Sequence, residues 1–253
     1  MICVLDTETT GLDPETADIV ELGVVILPDL YPFRSLVKPS MPIELRAMAT
    51  HHITELMVSE ERDVSTVMLA SPLVKATTLV AHNAGFDRGF IEKSKLLPEL
   101  PWVCTWRCAR QIWPEAPFHS NQVLRYWLGL DLELHTGFGM DIMKQPPHRA
   151  LPDAWVTDHI LKRMLVEHLI DDLIELTKQP ILSTICHFGM HRGNPWEKVP
   201  KPYLRWLINK EFDADTIYTA KHFLEECPHC KNGCEKCGKT GFKYPERIED
   251  EST

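Results

Sequence analysis

The 253-residue sequence contains no apolar run approaching the ~20 residues of a membrane-spanning helix, and even Ile19 to Leu27 is split by Glu21. It also lacks a basic segment leading into an apolar one, the pattern that opens a signal peptide, because Asp6 interrupts the first apolar residues at once. A soluble, cytoplasmic protein with no membrane partner is therefore expected. Positive charge is scarce as well: 27 Lys and Arg face 36 Asp and Glu, for a net charge of −9. That balance argues against a uniformly basic coat for nucleic acid, although a local basic strip can still bind phosphates. No internal repeat or low-complexity tract appears. The cysteines do not look like a secreted disulfide framework. Cys3, Cys104, Cys108 and Cys186 are scattered among apolar neighbours as small buried thiols, and the other four crowd into Cys227 to Cys237, which points to metal.

What is present is enough for one large domain and a small appendage. Ile2 to Leu5 reads as a buried strand that breaks into Asp6 and Glu8, two carboxylates one residue apart, which an extended chain points to the same side. Like charges that close need a cation between them, and a divalent metal on oxygen ligands is the usual one; alone, the pair is more simply the water-facing polar end of a strand. Ile19 to Leu27 alternates as a second strand and Phe33 to Lys38 forms a third, completing an antiparallel meander. Ile43 to Met48 and Val64 to Val74 carry helical spacing, joined by Ala49 to Thr54. A strand at Thr77 to Val80 leads to a helix over Phe86 to Leu97, and Val103 opens a strand and helix reaching Trp113. Asn121 to Leu130 is amphipathic, Asp131 to Pro147 reads as a loop, and a long helix follows from about Leu151 with Pro152 in its first turn. This order predicts an α/β domain, a mixed sheet of meander and parallel strands flanked by helices, over residues 1–178. A smaller module over 181–226 follows the Gln179-Pro180 boundary.

Three further polar residues sit at element edges. Asp87 follows a strand in His82-Asn83-Ala84-Gly85-Phe86-Asp87, Asp153 lies in the first turn of the long helix, and His148 precedes it by five residues. Each has an ordinary explanation, for instance the helix dipole for Asp153. Their combination is similar to the DEDDh family of 3′-to-5′ exonucleases. Thr9 to Leu12 after the first acids, Ile19 to Gly23 in the second strand and His52-Ile53-Thr54 before the second helix match as well. The likeness covers about Met1 to His168. Cys104 to Pro114, His148 to Leu151, Phe188-Gly189 and Tyr203 to Leu207 carry it further, toward the exonuclease X subgroup.

That resemblance implies a ribonuclease H-like sheet, a nucleic-acid substrate with a free 3′ end, DNA by preference, and two Mg²⁺ or Mn²⁺ ions. Asp6 would bridge the ions, Glu8 and Asp153 would complete one site, and Asp87 would serve the other through water. His148 would be the general base, a task suited to an imidazole with its reference pKa of ~6.5. Two divalent ions suit phosphodiester hydrolysis because they activate water and stabilise charge on the attacking and leaving oxygens. Thr9, Leu12, Asn83 and Arg192 are candidate substrate contacts. Leu12 either wedges against terminal bases or packs on its own loop, and Asn83 either orients Asp87 or makes a turn.

In the small module, basic residues alternate with Phe188, Trp196, Tyr203 and Trp206, a mixture able to grip a strand. The helical spacing of Tyr203, Trp206 and Leu207 favours core packing instead. Cys227, Cys230, Cys234 and Cys237 form Cys-x2-Cys-x3-Cys-x2-Cys, read as a zinc knuckle over 227–243 holding one structural Zn²⁺, with redox dithiols or an unstructured thiol tail as alternatives. Residues 244–253, rich in acids, are expected to be disordered. An exoribonuclease of the same family, or a catalytically silent zinc-containing nucleic-acid-binding protein, remains open.

Overall fold

A computed structural model of the chain describes residues 1–28, 31–130 and 147–224. The expected loop at 131–147 lies almost wholly outside these residues, and the zinc knuckle and the acidic tail lie wholly outside them. Two compact units are resolved, Met1–Lys178 and a second beginning at Gln179.

The first unit is built on a five-stranded mixed sheet. Strands β1 (Ile2–Thr9), β2 (Ile19–Leu27), β3 (Tyr31–Leu36), β4 (Thr78–Ala81) and β5 (Trp102–Cys104) lie in the order β3-β2-β1-β4-β5. The meander β1-β2-β3 is antiparallel, and β4 and β5 add parallel to β1. Hydrophobic side chains cover both faces, as the apolar character of β1 and β2 requires. Val4 and Val25 pack under helix α7 (Ala150–Met164), with Ala154, Val156, Ile160 and Leu161. Cys3, Leu5, Leu22 and Val24 pack on the opposite side with Val67 and Met68 of α3 (Val64–Ala70) and Phe90 and Ile91 of α4 (Gly85–Lys93). Helices α1 (Leu45–His51), α2 (Glu55–Val58), α5 (Thr105–Ile112), α6 (Asn121–Trp127) and α8 (Ile170–Lys178) complete the unit.

Several boundaries differ from expectation for local reasons. β1 runs through both acids to Thr9, because Asp6 and Glu8 keep pairing with Gly23 and Glu21 across the ladder. α1 continues to His51 and stops at His52, which adopts a left-handed conformation with φ 59°. α3 ends at Ala70 rather than Val74. Pro72 has no amide hydrogen to continue it, and the Ser71 side chain caps a fresh 3-10 turn over Pro72–Lys75. α4 ends at Lys93, short of Leu97, with Lys95 at φ 55° just beyond. Cys3, Cys104, Cys108 and Cys186 are free and buried.

In the second unit, α9 (Lys201–Ile208) packs against α10 (Ala214–Phe223). Its core is Cys186, Trp196, Val199, Leu204, Leu207, Ala220 and Leu224. This corrects the expected core set: Leu207 is inside, but Trp206 is 45% exposed, and Trp196 takes the central aromatic place.

Candidate active site

The pleat of β1 decides which side chains converge. Val4, Asp6 and Glu8 share the α7 face, and Thr7 points the other way. On the α7 face, ligand oxygens of Asp6, Glu8 and Asp153 all lie within 4.8 Å of one another. Asp87 approaches from α4, where Thr7 grips it through both its backbone N–H (2.9 Å) and its hydroxyl (2.8 Å), each donating to Oδ1. Oδ2 of Asp87 is left without a protein donor among the described residues.

Asp153 is held at the first turn of α7 by two donors. Gln122 of α6 donates to Oδ1 at 2.7 Å, and the backbone N–H of His148 donates to Oδ2 at 2.7 Å. His148 has φ 61°, a conformation that L residues rarely adopt, and its imidazole is exposed beside the acids. Its backbone is thus tied to one acid while its ring stays free to face solvent.

The placement of α7 rests on β2. Glu21 is fully buried, directly across the ladder from Glu8, yet accepts from Arg34 Nε (2.6 Å), Arg149 Nε and Nη2 (3.0 and 2.9 Å) and the Ala150 N–H (3.0 Å). These donors outweigh burial and hold its carboxyl below the usual glutamate range. Two residues on, Gly23 lies so close to α7 that any Cβ would run into the Ala150 carbonyl carbon and Leu151 nitrogen. Glu21 therefore clamps the start of α7, and Gly23 lets the helix backbone down onto the sheet. The sequence quoted these residues only as matching context; nothing local marks Glu21 as the partner of an arginine 128 positions away.

Beside the acids opens a cavity of about 240 Å³ lined by residues that include Glu8, Thr9, Leu12, Glu44, His51 and Phe86. Leu12 is 77% exposed on its rim, so it does not pack into its own loop. The Thr9 hydroxyl is spent within the loop, donating to the Gly11 carbonyl at 2.6 Å. His51, unassigned from sequence, accepts from the Ile53 N–H at Nδ1 (2.9 Å), so Nε2 carries the proton and donates to the Thr9 carbonyl (3.2 Å). Burial pushes its pKa down, keeping the ring neutral in this structural role. Asn83 is exposed in a turn at φ 61°. His82 is held between the Thr105 hydroxyl and the His119 carbonyl. Arg192 lies in the second unit, exposed after a 3-10 turn at Gly189–His191.

The electrostatics show what the cluster requires. Desolvation, then repulsion from Asp87, Asp153 and Glu8, pushes Asp6 well above the carboxylate range. Desolvation, then Asp153 and Glu21, raises Glu8 to about 8. Burial lifts Asp87 to about 7 against its Thr7 hydrogen bonds, and it raises Asp153 despite the donors from His148 and Gln122. No described lysine or arginine hydrogen-bonds these four. Hard oxygen donors, crowded and only partly compensated by Arg149, His148 and neutral donors, fit divalent cations such as Mg²⁺ or Mn²⁺.

This geometry can be set beside known proteins. A family model described as Exonuclease, of the RNase T type, matches residues 3–161. Exodeoxyribonuclease 10 of Escherichia coli strain K12 is 32% identical over 234 residues, covering 89% of this chain and 99% of the relative. The DNA polymerase III PolC-type protein of Thermotoga petrophila is 32% identical over 171 residues, 64% of this chain but 12% of that protein. A solved structure of exonuclease X in complex with 5′ overhanging duplex DNA is 33% identical, with a TM-score of 0.55, covering 70% of this chain and 99% of that one. A match spanning all five strands and the helix that carries Asp153 makes this chain an enzyme of the exonuclease family.

Proposed function

We propose that the chain is a metal-dependent 3′-to-5′ exodeoxyribonuclease that releases nucleoside 5′-monophosphates from DNA ends. The observation that carries this reading is the meeting of Asp6, Glu8 and Asp153 within 4.8 Å, with Asp87 contributing repulsion to the same group, beside a cavity about the size of one nucleoside. DNA rather than RNA rests on the near full-length likeness to exodeoxyribonuclease 10, and on exonuclease X having been solved with DNA.

When bound, two divalent ions supply charge neutralisation for phosphate and a more acidic water. Asp6, central in the cluster, would hold both. Glu8 and Asp153 would complete one position, and Asp87, anchored by Thr7, would serve the other. The cavity between Leu12, Phe86 and His51 receives the terminal nucleoside, with Leu12 on the rim against its base. His148, tethered through its backbone to Asp153, takes the proton as the water oxygen bonds to phosphorus. The bond from phosphorus to the 3′ oxygen breaks, and that oxygen gains a proton to become the new 3′ end.

Wild-type protein and Asp6→Ala are incubated with Mg²⁺ and 5′-labelled single strands of DNA and RNA. Stepwise shortening of DNA by the wild type alone is the expected result. Equal shortening by both proteins would sink the reading, and faster loss of RNA would replace the substrate.

A further inference from the structure

The second unit carries a surface that its own core does not explain. Trp206 is 45% exposed and absent from the hydrophobic cluster that Trp196, Leu204 and Leu207 close without it. Four rings run in succession here, of which Tyr203 and Phe212 are half-buried against that core and Trp206 is the exposed one. His191 meets the edge of Tyr203 at 4.6 Å, Tyr203 stacks on Trp206 at 5.3 Å and 29°, and Trp206 meets Phe212 at 5.8 Å. The turn bearing His191 is seated against this run: Gly189, at φ 62°, comes close enough to the Tyr203 hydroxyl that a Cβ would collide with it. Arg192 follows His191 at one end, and Lys210 stands at the other, two residues before Phe212. Both cations are exposed, with no acidic partner among the described residues.

Charge separates this unit from the first. Residues 179–253 hold 11 Lys or Arg against 11 Asp or Glu, net zero, and within them 179–224 hold six against four, whereas residues 1–178 hold 16 against 25, net −9. Two of the four acids are engaged internally. Asp213 caps α10 by accepting from Thr216, and Asp215 accepts from the Ile181 N–H. A ring face flanked by free cations matches single-stranded nucleic acid, whose bases stack without regard to sequence while phosphates meet positive charge. Trp, Tyr and Arg also serve protein interfaces, but cations at both ends of the ring run favour a polyanion.

We propose that the Tyr203–Trp206 face, flanked by Arg192 and Lys210, is a second nucleic-acid contact that binds unpaired strand. This deepens the nuclease reading, but its test does not depend on cleavage. Full-length protein in EDTA is titrated against a fluorescein-labelled oligothymidylate of about 30 nucleotides, the length giving room for several stacked bases. Trp206→Ala should weaken binding about tenfold, given base stacking of ~1–3 kcal/mol, and Trp206→Phe should recover part of it. Arg192→Ala with Lys210→Ala should flatten the dependence of log Kd on log salt. Far-ultraviolet circular dichroism and the melting temperature verify the fold of each variant. Folded Trp206→Ala binding as tightly as wild type overturns the proposal. Weakened binding by that variant supports it, even where wild type fails to shorten the strand, a failure that would sink the nuclease reading alone.

Discussion

At the scale of single residues, the site separates two kinds of buried carboxylate. Glu21 is ion-paired within the protein by two arginines and accepts from a backbone N–H as well; Asp87 and Asp153 accept only from neutral donors, and Asp6 and Glu8 crowd against them. Replacing Asp6 by Ala should lower kcat by about 10³-fold or more, since each bound metal supplies several kcal/mol at the transition state. Glu21→Gln would leave two arginines short of one charge partner, at a cost of about 3–5 kcal/mol by chemical denaturation, with kcat falling more than KM rises because His148 and Asp153 lose their support. The sign of the pH effect follows from the shifts. Carboxylates raised in the folded state destabilise it while ionised, and that cost vanishes as pH falls through their folded pKa values. Metal-free protein should therefore melt at higher temperature as pH drops from about 9 to about 6, through Glu8 at about 8 and Asp87 at about 7, and saturating Mg²⁺ should remove most of the slope. Glu21, held low, keeps its contribution until pH falls below the usual glutamate range. The spacing of Asp6 and Glu8 was legible because a strand repeats every two residues. The clamp on Glu21 was not, because a buried acid in an apolar strand acquires its meaning only from Arg34 and Arg149 across the fold.

At the scale of elements, β2 is the support for α7. Gly23→Ala would drive a methyl into the first turn of α7, moving Asp153 and His148 together; stability and activity should fall in parallel, read by melting temperature and by DNA shortening. Gly85→Ala in the first turn of α4 is the contrast. Nothing lies within 4 Å of its added Cβ, so it should keep activity and raise stability by up to ~1 kcal/mol. The helices with clear apolar stripes, α7 above all, were readable from sequence. α2 was not, since four residues show no period, and the end of α3 was overrun because the Leu73 and Val74 pattern continues past Pro72.

At the scale of the whole molecule, the acids, His148 and the cavity lie within Met1–Lys178, and both large hydrophobic clusters lie there too. A chain ending at Lys178 should fold cooperatively and shorten a brief oligonucleotide at a rate within a few-fold of the full chain, as followed by calorimetry and gel assay. The mixed sheet was foreseeable from the order of strands and helices; the distribution of the second unit's aromatics was not, because helical spacing alone does not say which of Leu204 and Trp206 turns inward. The rungs Asp6–Gly23 and Glu8–Glu21 carry a further consequence. Side chains alternate every residue along a strand, so sliding β1 against β2 by one position would send the metal-facing acids and the helix-supporting pair to opposite faces together. A folding error there erases the catalyst outright instead of dulling it. The connection over residues 10–18 can accept length changes only where they leave that alignment untouched.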